Sequence, residues 1–334
     1  MPIPSGRAIL NIYKYIKWFC GILFIVLASA CSGGSDNSNS APSVGEPGSS
    51  SLISCADTDS CFSNPTLEIG GDRLAQVQIP SDYTSTNRYP LVIGLHDGGT
   101  SGSVLSDYMG LGRRVDSLQF VLVLPNGTES NDGGRFWNST PACCAPSGEE
   151  FQIDDVGYIR SLIEEAAATY SIDVDRIGLI GHSNGAAMTL RMVCEASDLV
   201  TSAVSLAGFT FPEDASCAPA TDPVSVLTMH GDQDEVIFFD GGEFNRGSYL
   251  SANETIRRFA VHAGCNSNNP AFAPNLDADG GIDGSETTVL QYADCAEGVN
   301  AELWILVGSG HAPFPWVGSA IDSVVGWIIE HPRK

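Results

Sequence analysis

Basic residues are scarce in this chain of 334 residues. Sixteen lysines and arginines stand against 40 aspartates and glutamates, a formal net charge of -24. A polyanion is therefore a poor ligand, which excludes nucleic acid and anionic membrane surfaces as partners. A membrane-spanning run is also missing, because the apolar stretch Trp18 to Leu27 is shorter than the roughly 20 residues a bilayer requires. There is no C-x-x-C pair and no His–Cys cluster, so zinc is not expected. No internal repeat is visible.

What the first residues do contain is an export pattern. Arg7, Lys14 and Lys17 precede the apolar stretch, and small residues lead up to Cys31. That is the order of a signal peptide over residues 1–30. "LASAC" reads as a lipobox that would make Cys31 the lipidated first residue, with simple cleavage near Ala30 as the alternative. Residues 31–53 hold almost nothing to bury and read as a flexible Ser/Gly/Asn-rich tether. The expected location is outside the cell or on a bacterial outer membrane, reached only through a lipid anchor. Residues 54–334 are long enough for one folded domain, and a monomer is expected. Beyond Cys20 and Cys31, the cysteines at 55, 61, 143, 144, 194, 217, 265 and 295 are even in number and read as disulfides.

Within that domain, near-continuous Val/Ile/Leu runs end in turn residues at Tyr89–His96, Phe120–Pro125, Arg176–Gly181, Thr201–Gly208, Val224–Gly231 and Ala301–Gly308. Such runs are strands of a sheet covered on both faces. Helical patterns alternate with them at Asp154–Tyr170, Asn184–Ala196, Ser248–Ala263 and Ser319–Glu330. The expectation is an α/β domain: a doubly wound, mostly parallel sheet with helices on both faces.

One junction in that pattern carries chemistry. "LIGHSNGAAM" places Ser183 between a strand and a helix, with Gly181 and Gly185 two residues to either side. A strained strand-to-helix turn lifts a serine hydroxyl above the sheet, and only small neighbours permit it. Such a nucleophile needs a base and an acid behind the base. His311, in the loop after the strand Ala301–Val307, sits at a carboxyl strand end, where active sites of these sheets gather. His96 and His230 read as loop-shaping residues, and His182 as pointing away from the serine. For the acid, Asp234 lies one short loop beyond the strand Val224–Met229, with Asp232 as runner-up and the unused carboxylates expected in solvent. The Asn184 backbone N–H, next to the nucleophile, is one expected oxyanion donor, and Gly98 is the second. These parts need no metal or organic cofactor.

The segments "PLVIGLHDGGTSG", "LPNGT", "WNSTPACC", "DDVGYIRSLI", "DVDRIGLIGHSNGAAM", "AVSLAG", "HGDQDEV" and "ELWILVGSGHAPF" resemble the secreted polyhydroxybutyrate-depolymerase-like esterases. That group includes the feruloyl and acetyl-xylan esterases of carbohydrate esterase family 1. The resemblance runs from Tyr89 to Trp316. It implies the α/β-hydrolase fold and ester hydrolysis through an acyl-enzyme, with Ser183, Asp234 and His311 as triad and Gly98 and Asn184 as oxyanion donors. It also implies the disulfides Cys194–Cys217 and Cys265–Cys295. The expected substrate is a polyester chain or its oligomers, with feruloyl or acetyl-xylan esters as the alternative. A non-catalytic surface binding lipoprotein is the reading of a different class. Two departures stand out: Asp97 occupies a usual glycine position beside the oxyanion donors, and "HAPFPW" replaces His-x-Trp-Pro-Gly.

Three other features remain. Asp154 and Asp155 open a helix, as cap and dipole complement. Trp137 and Trp316 lie in loops near the expected site and are candidates for holding substrate, against ordinary burial. "NLDADGGIDGSE" fits a twelve-residue calcium loop by position. Asn275, Asp277, Asp279, Gly281, Asp283 and Glu286 would be its ligands for a structural Ca2+.

Overall fold

The computed structural model describes residues 67–130, 133–140, 153–212, 217, 222–244 and 247–333. The expected signal peptide, the tether, Cys31, Cys55, Cys61, Cys143 and Cys144 lie outside them. In chain order the strands are β1 (Leu67–Ile69), β2 (Ala75–Gln78), β3 (Tyr89–Leu95), β4 (Val121–Leu124), β5 (Thr128–Glu129), β6 (Arg135–Phe136), β7 (Ile172–His182), β8 (Ser202–Leu206), β9 (Ser225–Gly231), β10 (Gly242–Phe244), β11 (Gly247–Tyr249), β12 (Asn266–Leu276), β13 (Thr287–Ala293) and β14 (Ala301–Leu306). The helices are α1 (Gly102–Met109), α2 (Val115–Leu118), α3 (Asp155–Thr169), α4 (Asn184–Glu195), α5 (Ala252–His262) and α6 (Gly318–Ile329).

A ten-stranded sheet runs in the order β1-β2-β4-β3-β7-β8-β9-β14-β13-β12. Its middle, from β4 to β14, is parallel, and both ends are antiparallel. Every residue of β3, β4, β8 and β9 is buried. The reason is the cover: α3, α4 and α5 pack one face around Leu91, Ile159, Met188 and Ile256. On the other face, α1 and α6 enclose Leu105, Ile180, Leu227 and Val324. Each such side chain contributes about 1.5–3 kcal/mol by leaving water. This is the α/β-hydrolase fold.

Two of the departures from the expected pattern have a clear physical reason. The helix expected from Ser248 begins only at Ala252, because Ser248 and Tyr249 belong to the β10–β11 hairpin. Ser251 then caps α5: its hydroxyl accepts from the Glu254 N–H, and the Glu254 carboxylate accepts from the Ser251 N–H. That reciprocal box fixes the start of the helix. Strand β12, polar and interrupted by Pro270 and Pro274, lies at the sheet edge against β13 alone. Proline is tolerated there because an edge strand need not donate on its outer side. The pairs Cys194–Cys217 and Cys265–Cys295 are both formed.

Candidate active site

Strand β7 ends at His182 and α4 starts at Asn184, which leaves Ser183 alone on the turn, with φ 53° and ψ -116°. A non-glycine residue at positive φ is strained by about 1–3 kcal/mol and must be held by its surroundings. The Ser183 N–H does so by donating to the Leu206 carbonyl at 2.9 Å. The flanking glycines are required by space. A Cβ on Gly185 would run into the carbonyl oxygens of Leu95 and His96, and one on Gly181 into the Gly185 carbonyl.

At that turn the structure brings together the residues expected from sequence. His311 Nε2 lies 2.9 Å from Ser183 Oγ. Its Nδ1 lies 2.8 Å from Asp234 Oδ2. With Nδ1–H donating to the carboxylate, Nε2 is left as the acceptor for the serine proton. The Asp234 side chain is fully buried. Its Oδ1 accepts the N–H groups of Val236 and Ile237, at 2.8 and 2.9 Å. His230 approaches Oδ2 at 3.3 Å while its Nε2–H donates to the Ile237 carbonyl at 2.8 Å. Burial alone would raise the carboxyl of Asp234. The hydrogen bonds from His230, His311 and Val236, with the charge His311 can carry, instead hold it well below the usual carboxylate range.

Asp232 has another task. Its Oδ1 accepts the Gly308 N–H at 2.7 Å and so pins the start of the histidine loop. The expectation that it would be merely solvated is corrected: it binds a backbone donor that the end of β14 leaves unpaired.

On the oxyanion side, Gly98 and Asn184 are neighbours: a Cβ on Gly98 would lie 3.8 Å from that of Asn184. Gly99 N–H is tied to Arg135 O and Thr100 N–H to Asp97 O. Among the described residues, the N–H groups of Gly98 and Asn184 have no internal acceptor. They are free to donate to a ligand. Asp97, the departure from the resemblance, accepts the Thr100 hydroxyl on Oδ1 at 2.6 Å, which ties the carboxylate into its own turn.

Sequence reasoning missed most of the supporting polar residues. The side chain of Asn184 pairs with the backbone of Trp137, accepting its N–H at 2.7 Å and donating to its carbonyl at 3.0 Å. Asp155, beyond complementing the helix dipole, is buried and accepts from Arg73 at 2.7 Å and from the Asn138 N–H at 2.6 Å. Asp154 caps α3 as expected, accepting from Gly157 N–H. His96 accepts the Gly127 N–H on Nε2 and donates from Nδ1 to the Asp97 carbonyl, and burial pushes its pKa down. A polar residue at a buried strand or helix end was the available signal for these positions, but it did not say which group each would hold.

The aromatic candidates divide. Trp137 is 0% exposed and gives its indole N–H to the His96 carbonyl, so it is part of the floor of the site and presents no face to substrate. Trp316 is half-buried, edge-on to Tyr108 with ring centres 5.9 Å apart. Val236, Phe238 and Phe314, which follow Asp234 and His311 closely in sequence, are each more than half exposed.

The calcium reading does not fit the structure. Glu286 Oε1 accepts the N–H groups of Ala278 and Asp279 and the Thr287 hydroxyl. Asp279 accepts the Gly281 N–H on Oδ1 and the Ser309 hydroxyl on Oδ2, at 2.9 and 2.7 Å. The Asn275 side-chain amide donates to the Ser285 carbonyl. A cation needs these oxygens turned to a common centre, whereas Asp279 and Glu286 spend theirs on donors. Among the described residues no three His, Cys, Asp or Glu side chains gather. Spacing alone could not show that the loop closes on itself.

Residues 84–265 match the model of the Phospholipase/Carboxylesterase family, more than half of the chain. The chain belongs to that family. It is an esterase. A probable feruloyl esterase C of Aspergillus niger is 27% identical over 220 residues, covering 63% of this chain and 70% of its own. A putative esterase, NocK, of Nocardia uniformis is 27% identical and covers 71% of this chain and 69% of its own. In fold, an acetyl xylan esterase from Aspergillus awamori superimposes with a TM-score of 0.58 at 15% identity, over 78% of this chain and 98% of its own. The feruloyl and acetyl-xylan side of the sequence resemblance is thus met by relatives of those names.

Proposed function

We propose that the protein is an exported serine esterase that cleaves feruloyl-type or acetyl esters of plant cell-wall polymers through an acyl-enzyme. The observation that carries the chemistry is the unbroken line Ser183 Oγ, His311, Asp234, with contacts of 2.9 and 2.8 Å. In this reading His311 takes the Ser183 proton as the oxygen attacks the ester carbonyl. The proton passes from His311 to the departing alcohol, and water, deprotonated by His311, then releases the acid and restores the serine. Asp234 holds the imidazole in the tautomer with Nδ1–H and stabilises its charge. The N–H groups of Gly98 and Asn184 receive the oxyanion.

The substrate class rests on the names of the relatives. Export rests on the leader pattern and on the two disulfides, which persist in oxidising compartments. Lipidation of Cys31 and residence on an outer membrane belong to the same reading. A second substrate, a hydroxyalkanoate polyester chain or its oligomers, is favoured by the exposed Val236, Phe238 and Phe314, since such a chain has no sugar to recognise. Hydrolysis of p-nitrophenyl butyrate, lost in Ser183→Ala, tests the mechanism. Turnover of the butyrate by Ser183→Ala at the wild-type rate would overturn Ser183 as the nucleophile, whereas no turnover by the wild-type protein would leave the binding-lipoprotein reading. Methyl ferulate, acetyl-xylan and hydroxybutyrate oligomers, compared by kcat/KM, decide the substrate.

A further inference from the structure

We infer that His182 is a positioning residue that fixes the main chain of His311 from beneath, an inference that rests on the triad reading above. His182 is the last residue of β7, buried to 4% exposure, and lies outside the Ser183–His311–Asp234 line of contacts. Its Nε2–H donates to the carbonyl of His311 at 2.9 Å. The two imidazole rings lie 5.0 Å apart, and the ring of Tyr108 lies 5.3 Å from His182 on α1. The Tyr108 hydroxyl donates to the Pro313 carbonyl at 3.0 Å. Two neighbouring rings thus hold two carbonyls of one loop, at positions 311 and 313.

The loop needs such holding. It leaves β14 through Gly308, at φ +86°, and Gly310, and has no helix or strand of its own before α6. A free backbone residue loses about 1–2 kcal/mol of conformational entropy when it is fixed, so each unheld residue drifts readily. Asp234 restrains the His311 ring, and Asp232 and Asp279 restrain Gly308 and Ser309. Only the His182 contact is made to the main chain of the base itself among these. Burial and the charge of a protonated His311 both push His182 down from its usual pKa. It therefore stays a neutral donor while His311 becomes positive, and adds no like charge at the moment of reaction. A displacement of the order of 1 Å at a base costs roughly 100-fold.

The test separates this role from packing and from the mechanism. His182→Leu keeps the volume and removes the donor; His182→Gln reaches about as far and restores an N–H. On p-nitrophenyl butyrate, His182→Leu should lose on the order of 10- to 100-fold in kcat with KM within about two-fold, and His182→Gln should recover to within about three-fold of wild type. If the Leu variant does not fold, His182→Asn, too short to reach the carbonyl, takes its place with the same expectation. An unchanged kcat, a loss confined to KM, or a Gln variant as slow as Leu would overturn the inference. Ser183→Ala, run beside them, reports on the triad alone: full activity there sinks the parent reading, whereas its loss beside a normal His182→Leu sinks only this one.

Discussion

Replacing Asp234 by asparagine removes one charge and almost no volume, so the hydrogen bonds around that side chain decide the effect. The carboxylate accepts on both oxygens: Val236 and Ile237 N–H on Oδ1, His311 Nδ1–H on Oδ2. An asparagine has one acceptor, and the two fixed backbone donors at 2.8 and 2.9 Å claim it. The NH2 group then lands where Oδ2 stood, facing His311 Nδ1. Two donors cannot face each other, so His311 gives up the Nδ1 proton and carries one on Nε2, towards Ser183. In that tautomer the imidazole cannot accept the serine proton. The expected loss in kcat is on the order of 10^4, about 5.5 kcal/mol of barrier, with little change in fold. Asp232→Asn is the control two residues away: its Oδ1 serves the Gly308 N–H, an acceptor role an amide oxygen keeps, so turnover should stay within about three-fold. Steady-state hydrolysis of p-nitrophenyl butyrate by both variants, with melting curves to confirm folding, reads the difference. Equal losses in the two, or an Asp234→Asn enzyme slower by less than ten-fold, would refute the assignment of the acid.

The same geometry sets other outcomes. Asp97→Gly should leave ester turnover within a few-fold, because the carboxylate is tied to the Thr100 hydroxyl; a ten-fold rise, about 1.4 kcal/mol of barrier, would mean that it opposes the oxyanion. Melts in EDTA and in millimolar CaCl2 should superimpose, since Asp279 and Glu286 are committed to internal donors; a calcium-dependent rise in Tm would reverse that conclusion. The disulfides close loops of 23 and 30 residues. Chain entropy assigns about 3.5 kcal/mol to each, so replacing either pair by serines should lower stability to denaturant by roughly that amount, and a loss below about 1 kcal/mol would show the loops to be held otherwise.

The parts legible in the sequence were those fixed by local rules. The buried strands announced themselves as apolar runs, and Ser183 by small residues around a strand–helix junction. The sequence favours Asp234 over Asp232 by its place one short loop beyond the strand, but the physical reason was not legible, because it depends on which way each side chain leaves the turn after β9. Asp234 N–H closes that turn on Gly231 O at 3.3 Å, which aims its carboxylate at the Val236 and Ile237 N–H groups. Strand β12 was invisible for a different reason: a polar, proline-bearing segment becomes a strand only because β13 offers it an edge. For Trp137 its place in a loop leaves substrate contact and ordinary burial equally open, and the structure selects burial. Its burial depends on Asn184, 47 residues later in the chain.

The supporting polar residues share one physical cause. A parallel sheet brings its carboxyl ends together, and each loop leaving them carries N–H and C=O groups that no ladder pairs. Apolar packing cannot satisfy those groups, and at a cleft water can reach them only by loosening the loops. In this chain, carboxylates and histidines take that place: Asp155 holds the Asn138 N–H, Asp232 the Gly308 N–H, Glu286 the Asp279 N–H, and His182 the His311 carbonyl. Each is bonded to a loop, and each loop either bears a reacting group or leans on one that does. These three carboxylates thus serve the site directly, because a charged acceptor binds a backbone donor more strongly than a neutral one. Removing these acceptors one at a time, by alanine rather than by the amide that keeps an acceptor oxygen, should thus degrade catalysis before it unfolds the domain, since the apolar core beneath the sheet is untouched by any of them.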